Sequence, residues 1–156
     1  MQSDLQAELK QTRPFKSPLE EAFVALQRTA AVLEHALETA LKPSGITATQ
    51  YNVLRILRGA GTQCLCRTEV GERMVRRVPD VTRLLDRLEE TGYIARARGG
   101  DDRRYVTTTI TPAGLEALAT LDDVIASFLV GHMGSMTPAQ LRTLTDLLSL
   151  LRRTPT

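Results

Sequence analysis

The chain has 156 residues, is 42% hydrophobic and 24% charged, and carries a formal net charge of +2, the composition of an ordinary globular protein of one domain's length. No apolar run approaches the roughly 20 residues needed to span a bilayer, and the polar start MQSDLQAELKQTR lacks the apolar stretch of a signal peptide, which argues against a membrane or exported protein. Aromatics are only 4% and Trp is absent, while Leu and Ala recur throughout, so packed helices are expected rather than a sheet-rich sandwich.

Residues 1–16 show no firm periodicity and are expected to be loosely ordered or to extend a subunit contact, and the tail Thr154-Pro155-Thr156 likewise. Ser17-Pro18-Leu19-Glu20 marks a capped helix start. From there Leu19, Phe23, Leu26, Ala30, Leu33 and Leu37 recur at alternating spacings of four and three until Lys42-Pro43-Ser44-Gly45 breaks the pattern. Thr47-Ala48-Thr49-Gln50 opens a shorter amphipathic helix with Val53, Leu54 and Leu57 inward, closed by Gly59 and Gly61.

The two cysteines, Cys64 and Cys66, lie too close in sequence to staple a fold, and a reducing cytoplasm fits them. Cys66 stands where a capping Ser or Thr is expected, with Glu69 three residues on, at the start of a short helix over 66–74. A thiol at such a place beside Arg67 can react with oxidants; a pair of inert packed residues is the alternative. Zinc has only these two thiols and the distant His35 and His132 to draw on, and no metal site is expected.

After the basic link Val75-Arg76-Arg77-Val78, Pro79 is expected to open a second short helix at the first-turn position. Val81, Leu84, Leu85 and Leu88 form its apolar face, Asp80, Thr82, Arg83, Asp86, Arg87 and Glu90 point elsewhere, and Gly92 ends it. Two short helices joined by a tight basic turn, the second polar along its outer face, fit a helix-turn-helix. Ile94–Arg98 and Arg103–Ile110, linked by Gly99-Gly100-Asp101-Asp102, fit a β-hairpin wing. Between Arg67 and Arg104 stand ten arginines and no lysine against eight acids, and arginine is the side chain suited to bidentate phosphate and guanine contacts. At the hairpin tip Arg103 and Arg104 could enter a minor groove, or pair with Asp101 and Asp102 in a solvated turn.

Thr111-Pro112 starts a helix with Leu115, Leu118, Leu121, Ile125, Phe128 and His132 on one face, bounded by Gly131 and Gly134. Thr137-Pro138-Ala139-Gln140 starts the last, along which Leu141, Leu144, Leu148 and Leu151 step by three and four. The narrow apolar seams at both ends of the chain are expected to be buried in a bundle shared by two subunits, with a monomer core as the alternative.

The whole pattern resembles the MarR (multiple antibiotic resistance regulator) family of winged-helix repressors, most specifically in Val78-Pro79-Asp80-Val81-Thr82-Arg83-Leu84-Leu85-Asp86-Arg87-Leu88-Glu89, Gly92-Tyr93-Ile94, Asp102-x-Arg104, Ile110-Thr111 and Gly114. The resemblance implies a single domain over 1–156 that is mainly α with a small β-hairpin wing. Within it, 46–110 would be the DNA-binding winged helix-turn-helix, and 18–42 and 111–153 dimerisation helices carrying Leu19, Phe23, Leu26, Leu141, Leu144, Leu148 and Leu151. It implies a homodimer on a pseudo-palindromic site, with Pro79, Asp80, Thr82, Arg83 and Arg87 on the recognition helix, Arg103 or Arg104 as wing arginine and Asp102 bracing the wing.

Arg76 and Arg77 depart from the small polar residues common in the turn of relatives and add the prospect of phosphate contact. For Arg83 and Arg87 the alternative is pairing within the helix to Asp80, Asp86 or Glu90. Many relatives release DNA when a small, often aromatic or phenolic compound binds, and others respond to cysteine oxidation or metal; a small-molecule effector is expected here without further cofactor. The expected location is the cytoplasm, on the nucleoid when bound to DNA. No His-Glu-x-x-His, Gly-x-x-x-x-Gly-Lys or Gly-x-Ser-x-Gly occurs, so catalysis is not expected. A winged-helix module that binds a protein rather than DNA is the competing class.

Overall fold

The computed structural model describes residues 4–98 and 106–153. These form two compact units, the first ending at Thr39 and the second beginning at Ala40.

The first unit contains α1 (Asp4–Glu8) and most of α2 (Pro18–Leu41). Helix α1 puts regular structure into part of 1–16, where a loose segment or an extension of a subunit contact is expected. Its Gln6 is buried and donates its side-chain amide to the carbonyl of Arg13 at 3.0 Å. Glu8 takes the Nε of Arg28 on α2 at 2.8 Å. Five residues are too few to show a helical period in sequence, so these tertiary ties carried no local signal. At the start of α2, Ser17 Oγ accepts the Glu20 N–H at 3.2 Å and the Glu20 carboxylate reaches back to the Lys16 N–H at 2.6 Å, satisfying donors that the first turn leaves open. Leu19 and Phe23 on this helix are 83% and 60% exposed.

In the second unit, a single 3-10 turn (Lys42–Ser44) closes on Gly45, whose φ of +71° is the left-handed conformation glycine accommodates without a Cβ clash. Helix α3 (Ala48–Ala60) starts on the Thr47/Gln50 capping box; Gly59 lies inside it and Gly61 is its C-cap. Then follow β1 (Leu65–Cys66), α4 (Arg67–Arg73), α5 (Val81–Glu90), β2 (Ile94–Arg98), β3 (Val106–Ile110), α6 (Pro112–Met133) and α7 (Pro138–Arg152). Leu54, Leu57, Leu65, Val70, Leu85, Leu88, Ile94 and Leu118, contributed by six different elements, are almost wholly buried and make the core.

The strands form one antiparallel sheet in the order β1-β3-β2, with Ile94 opposite Ile110 and Arg98 opposite Val106 in the hairpin, and Cys66 opposite Thr107 across β1. The wing is thus a three-stranded sheet rather than a hairpin alone. Strand β1, only two residues long, exists through its pairing with a segment some forty residues downstream, which periodicity does not register.

Helix α4 begins at Arg67 on Cys66 as its N-cap residue, the position expected for it, whereas the next helix start differs from expectation. Helix α5 begins at Val81, so Pro79 precedes the helix instead of opening it, and Asp80 is the N-cap, its carboxylate accepting the Arg83 N–H at 2.9 Å. Aspartate is among the strongest N-cap residues and valine among the weakest, so a start capped by Asp80 wins over one capped by Val78.

Helix α6 is fixed to the turn before β2. Thr111 accepts the Gly114 N–H at 3.1 Å, donates its hydroxyl to the Gly92 carbonyl at 2.6 Å, and its N–H reaches the Tyr93 carbonyl at 3.0 Å. Helix α7 starts on a Thr137/Gln140 capping box and has no fully buried residue: Leu141, Leu144 and Leu148 are half-buried, and Leu147, Leu150 and Leu151 are exposed.

Candidate nucleic-acid interface

On α5 the side chains divide cleanly. At 100° per residue, Thr82, Arg83, Asp86, Arg87 and Glu90 fall within an arc of roughly 140°, and Val81, Leu84, Leu85 and Leu88 on the opposite side. Thr82, Arg83, Arg87 and Glu90 are exposed; Leu85 and Leu88 are buried. Burial of the leucines fixes the rotation of the helix and so the outward direction of the two arginines.

Asp80 and Asp86, two of the three acids that could neutralise those arginines, are engaged elsewhere, while the third, Glu90, is exposed. Asp80 is spent on the cap. Arg96, on β2, places Nη2 2.6 Å from Asp86 Oδ1 and 2.5 Å from Glu89 Oε2. Among the described residues no carboxylate pairs with the guanidinium of Arg83 or Arg87. The hydrogen bond from Arg96 holds the Glu89 carboxyl below the usual carboxylate range, against the opposing effect of burial, and the same contact raises Arg96. Both sides of the cluster therefore stay charged at neutral pH, and the acidic flank of α5 is compensated.

Arg76 and Arg77 are exposed in the link between α4 and α5. The link is held by Asn52 of α3, whose side-chain oxygen accepts the Val75 N–H at 3.0 Å. Arg67, at the first position of α4, is exposed and donates from Nη1 to Thr82 Oγ1 at 3.2 Å. Arg76, Arg77, Arg83 and Arg87 thus lie exposed on α5 and the link before it, a constellation suited to a polyanion, while Arg67 is turned to Thr82. Arg103, Arg104 and Asp102 fall outside the described residues; Arg98, exposed at the end of β2, is the last described arginine before them.

Neither Arg96 nor Arg67 drew a binding role from sequence. Their partners lie seven to fifteen residues away across a turn, beyond the three- and four-residue spacings by which helix pairs are read. Arg96 makes no outward contact surface; it is the brace that frees the two helix arginines.

Cys64 is exposed and Cys66 half-buried. The Glu69 carboxylate accepts the Cys66 N–H at 2.7 Å, and this bond, seconded by the thiol and by Arg73, keeps Glu69 below its ordinary range. Among the described residues no three His, Cys, Asp or Glu side chains gather as metal donors, and no helix is long and apolar enough to cross a membrane. His132 is exposed and its ring lies against Phe128 in a tilted contact, with ring centroids 4.7 Å apart.

Residues 46–106 match the protein family described as MarR family. The chain is 37% identical over 81 residues to the multiple antibiotic resistance protein MarR of Salmonella typhimurium, covering 52% of this chain and 55% of that protein, so it spans little more than half the length of this curated relative. A crystal structure of a MarR transcription factor from Planctomyces limnophilus is 31% identical, with a TM-score of 0.68 over 88% of this chain and 99% of that one. A mutant MarR from E. coli complexed with operator DNA is 25% identical, with a TM-score of 0.72 over 98% of this chain and 100% of that one.

Proposed function

The chain belongs to the MarR family of transcriptional regulators, and on that premise we propose that it is a sequence-specific DNA-binding repressor, acting in the cytoplasm as a homodimer on a pseudo-palindromic operator. The observation that carries this is the outer face of α5, where Arg83 and Arg87 stand exposed and, among the described residues, no carboxylate pairs with either, while Arg96 engages Asp86 and Glu89. Guanidinium groups on a helix of this kind suit guanine edges in a major groove, while Arg76 and Arg77 suit the phosphates beside it. The likeness to a chain complexed with operator DNA supports DNA as the partner. Family membership weighs against a catalytic role.

Homodimerisation is supported by apolar side chains left in water. On α2 these are Leu19, Phe23, Leu26 and Val32; on α6 and α7 they include Leu129, Val130, Leu147, Leu150 and Leu151. A second copy would remove this surface from water at a gain of about 25 cal/mol per Å² buried. Release by a small molecule is the regulatory part of the proposal, and it rests on the family's habit.

The test is a mobility shift on DNA flanking the protein's own gene, over a salt series with unrelated DNA as competitor. Competitor-resistant binding that weakens steeply with salt supports the proposal, since a protein that neutralises phosphates releases their counterions. Equal affinity for all duplexes, or none for any, contradicts it.

A further inference from the structure

We propose that Arg67 is a positioning residue that sets how Thr82 reads a base edge; this rests on the DNA-binding proposal above. Thr82 is exposed at the second position of α5. A threonine within a helix divides between two χ1 rotamers because its hydroxyl can bond a carbonyl three or four residues back. From Thr82 those carbonyls belong to Pro79 and Val78, which precede the helix.

The hydroxyl oxygen instead accepts from Arg67 Nη1 at 3.2 Å. Both ends of this bond sit on fixed backbone. Arg67 follows the N-cap Cys66, whose N–H is held by Glu69 at 2.7 Å, and Thr82 follows the N-cap Asp80 by two residues. Helices α4 and α5 are close enough that a Cβ built on Gly71 would touch Val81 Cγ2 at 3.5 Å.

With one lone pair of Oγ1 taken by the guanidinium, Thr82 keeps its hydroxyl hydrogen and its γ-methyl for a ligand. Those are the groups that match an acceptor on a base edge and the 5-methyl of thymine. Arg67 thereby contributes to sequence choice without being on the recognition helix.

The test uses the duplex that the unmodified full-length protein enriches from a random-sequence library, together with its single-base variants. Arg67→Ala should lower discrimination at one base pair per half-site by about three- to tenfold, the worth of one net hydrogen bond. The slope of affinity against salt should stay unchanged. Thr82→Val, which keeps the shape and removes the hydroxyl, should lose discrimination at the same base pair. The double variant should lose no more than the larger single loss, because both remove one coupled element.

A uniform loss across all sequences with a salt slope reduced by about one would make Arg67 a phosphate contact and overturn the proposal. Single losses that multiply in the double variant would overturn it as well. If the unmodified protein enriches no sequence, the DNA-binding proposal falls and this inference with it; enrichment with Arg67→Ala unaltered removes this inference alone.

Discussion

Arg96 on β2 and Glu89 on α5 are joined at three points: the Arg96 N–H lies 3.2 Å from one carboxylate oxygen of Glu89, and Nε and Nη2 lie 2.8 and 2.5 Å from the other. One arginine thus fastens the candidate recognition helix to the first strand of the wing while Asp86 holds the same guanidinium from the side. The helix that carries Arg83 and Arg87 is thereby tied to β2 by a single cluster.

Arg96→Ala is expected to cost about 1–2 kcal/mol of stability, the upper range for a pair of this kind, because two carboxylates converge on one guanidinium but both are more than a third exposed and screened by water. DNA affinity should fall further than stability accounts for, since the flank of α5 loses one positive charge and leaves Asp86 and Glu89 unpaired. Thermal melting and binding isotherms on the same variant check the two effects. Unchanged affinity in a folded variant would show that the cluster is a fastening only.

Acid should loosen the same region first. Glu89 and Glu69 both titrate below the usual carboxylate range in the folded chain. A folded-state value depressed below the unfolded one gives stability that is complete above the ordinary carboxylate value of about 4.3 and is lost as pH falls through the folded value. Melting temperature measured down from neutral pH should hold until about pH 5 and then drop, by less in Glu89→Gln than in the unmodified protein.

Gly114 should not tolerate a side chain. A Cβ there would lie 2.2 Å from the Tyr93 carbonyl oxygen and 2.8 Å from Ile110 Cγ1, and the first of these is backbone that Thr111 already ties by two hydrogen bonds to the turn around it. Gly114→Ala is expected to destabilise by about 2–4 kcal/mol, read by denaturant titration. Gly131→Ala on the same helix, where nothing lies within 4 Å of the new atom, should be neutral or slightly stabilising.

Charge on the exposed leucines of α7 should separate the subunits. Leu147 and Leu150 are 57% and 65% exposed in the single chain. Leu147→Glu and Leu150→Glu together are expected to yield a folded monomer by sedimentation velocity where the unmodified protein runs as a dimer. A dimer that persists would move the contact to other residues.

What sequence revealed and what it did not divides along locality. Thr47/Gln50, Thr111 and Thr137/Gln140 each cap a helix within four residues, so their helix starts were legible and stand where expected. The outward face of α5 followed from the spacing of Leu84, Leu85 and Leu88. Pro79 is expected to open α5, whereas the helix starts after the stronger cap Asp80, and cap strength is something spacing alone does not weigh. Strand β1, the α1 turn and the Arg96 and Arg67 bonds depend on partners brought in by the fold. Leu147 and Leu150 lie off the seam expected from Leu141, Leu144, Leu148 and Leu151, of which the first three are half-buried and Leu151 is exposed.

The most direct test of the central claim is a hydroxyl-radical footprint of the unmodified protein on the duplex it enriches, beside Arg83→Ala/Arg87→Ala. Two protected clusters related by dyad symmetry, with centres about 10 base pairs or a multiple apart, are expected, and they should fade or lose sequence preference in the double variant. One unrepeated cluster, or a footprint the double variant leaves intact, would contradict a homodimer that reads DNA through α5.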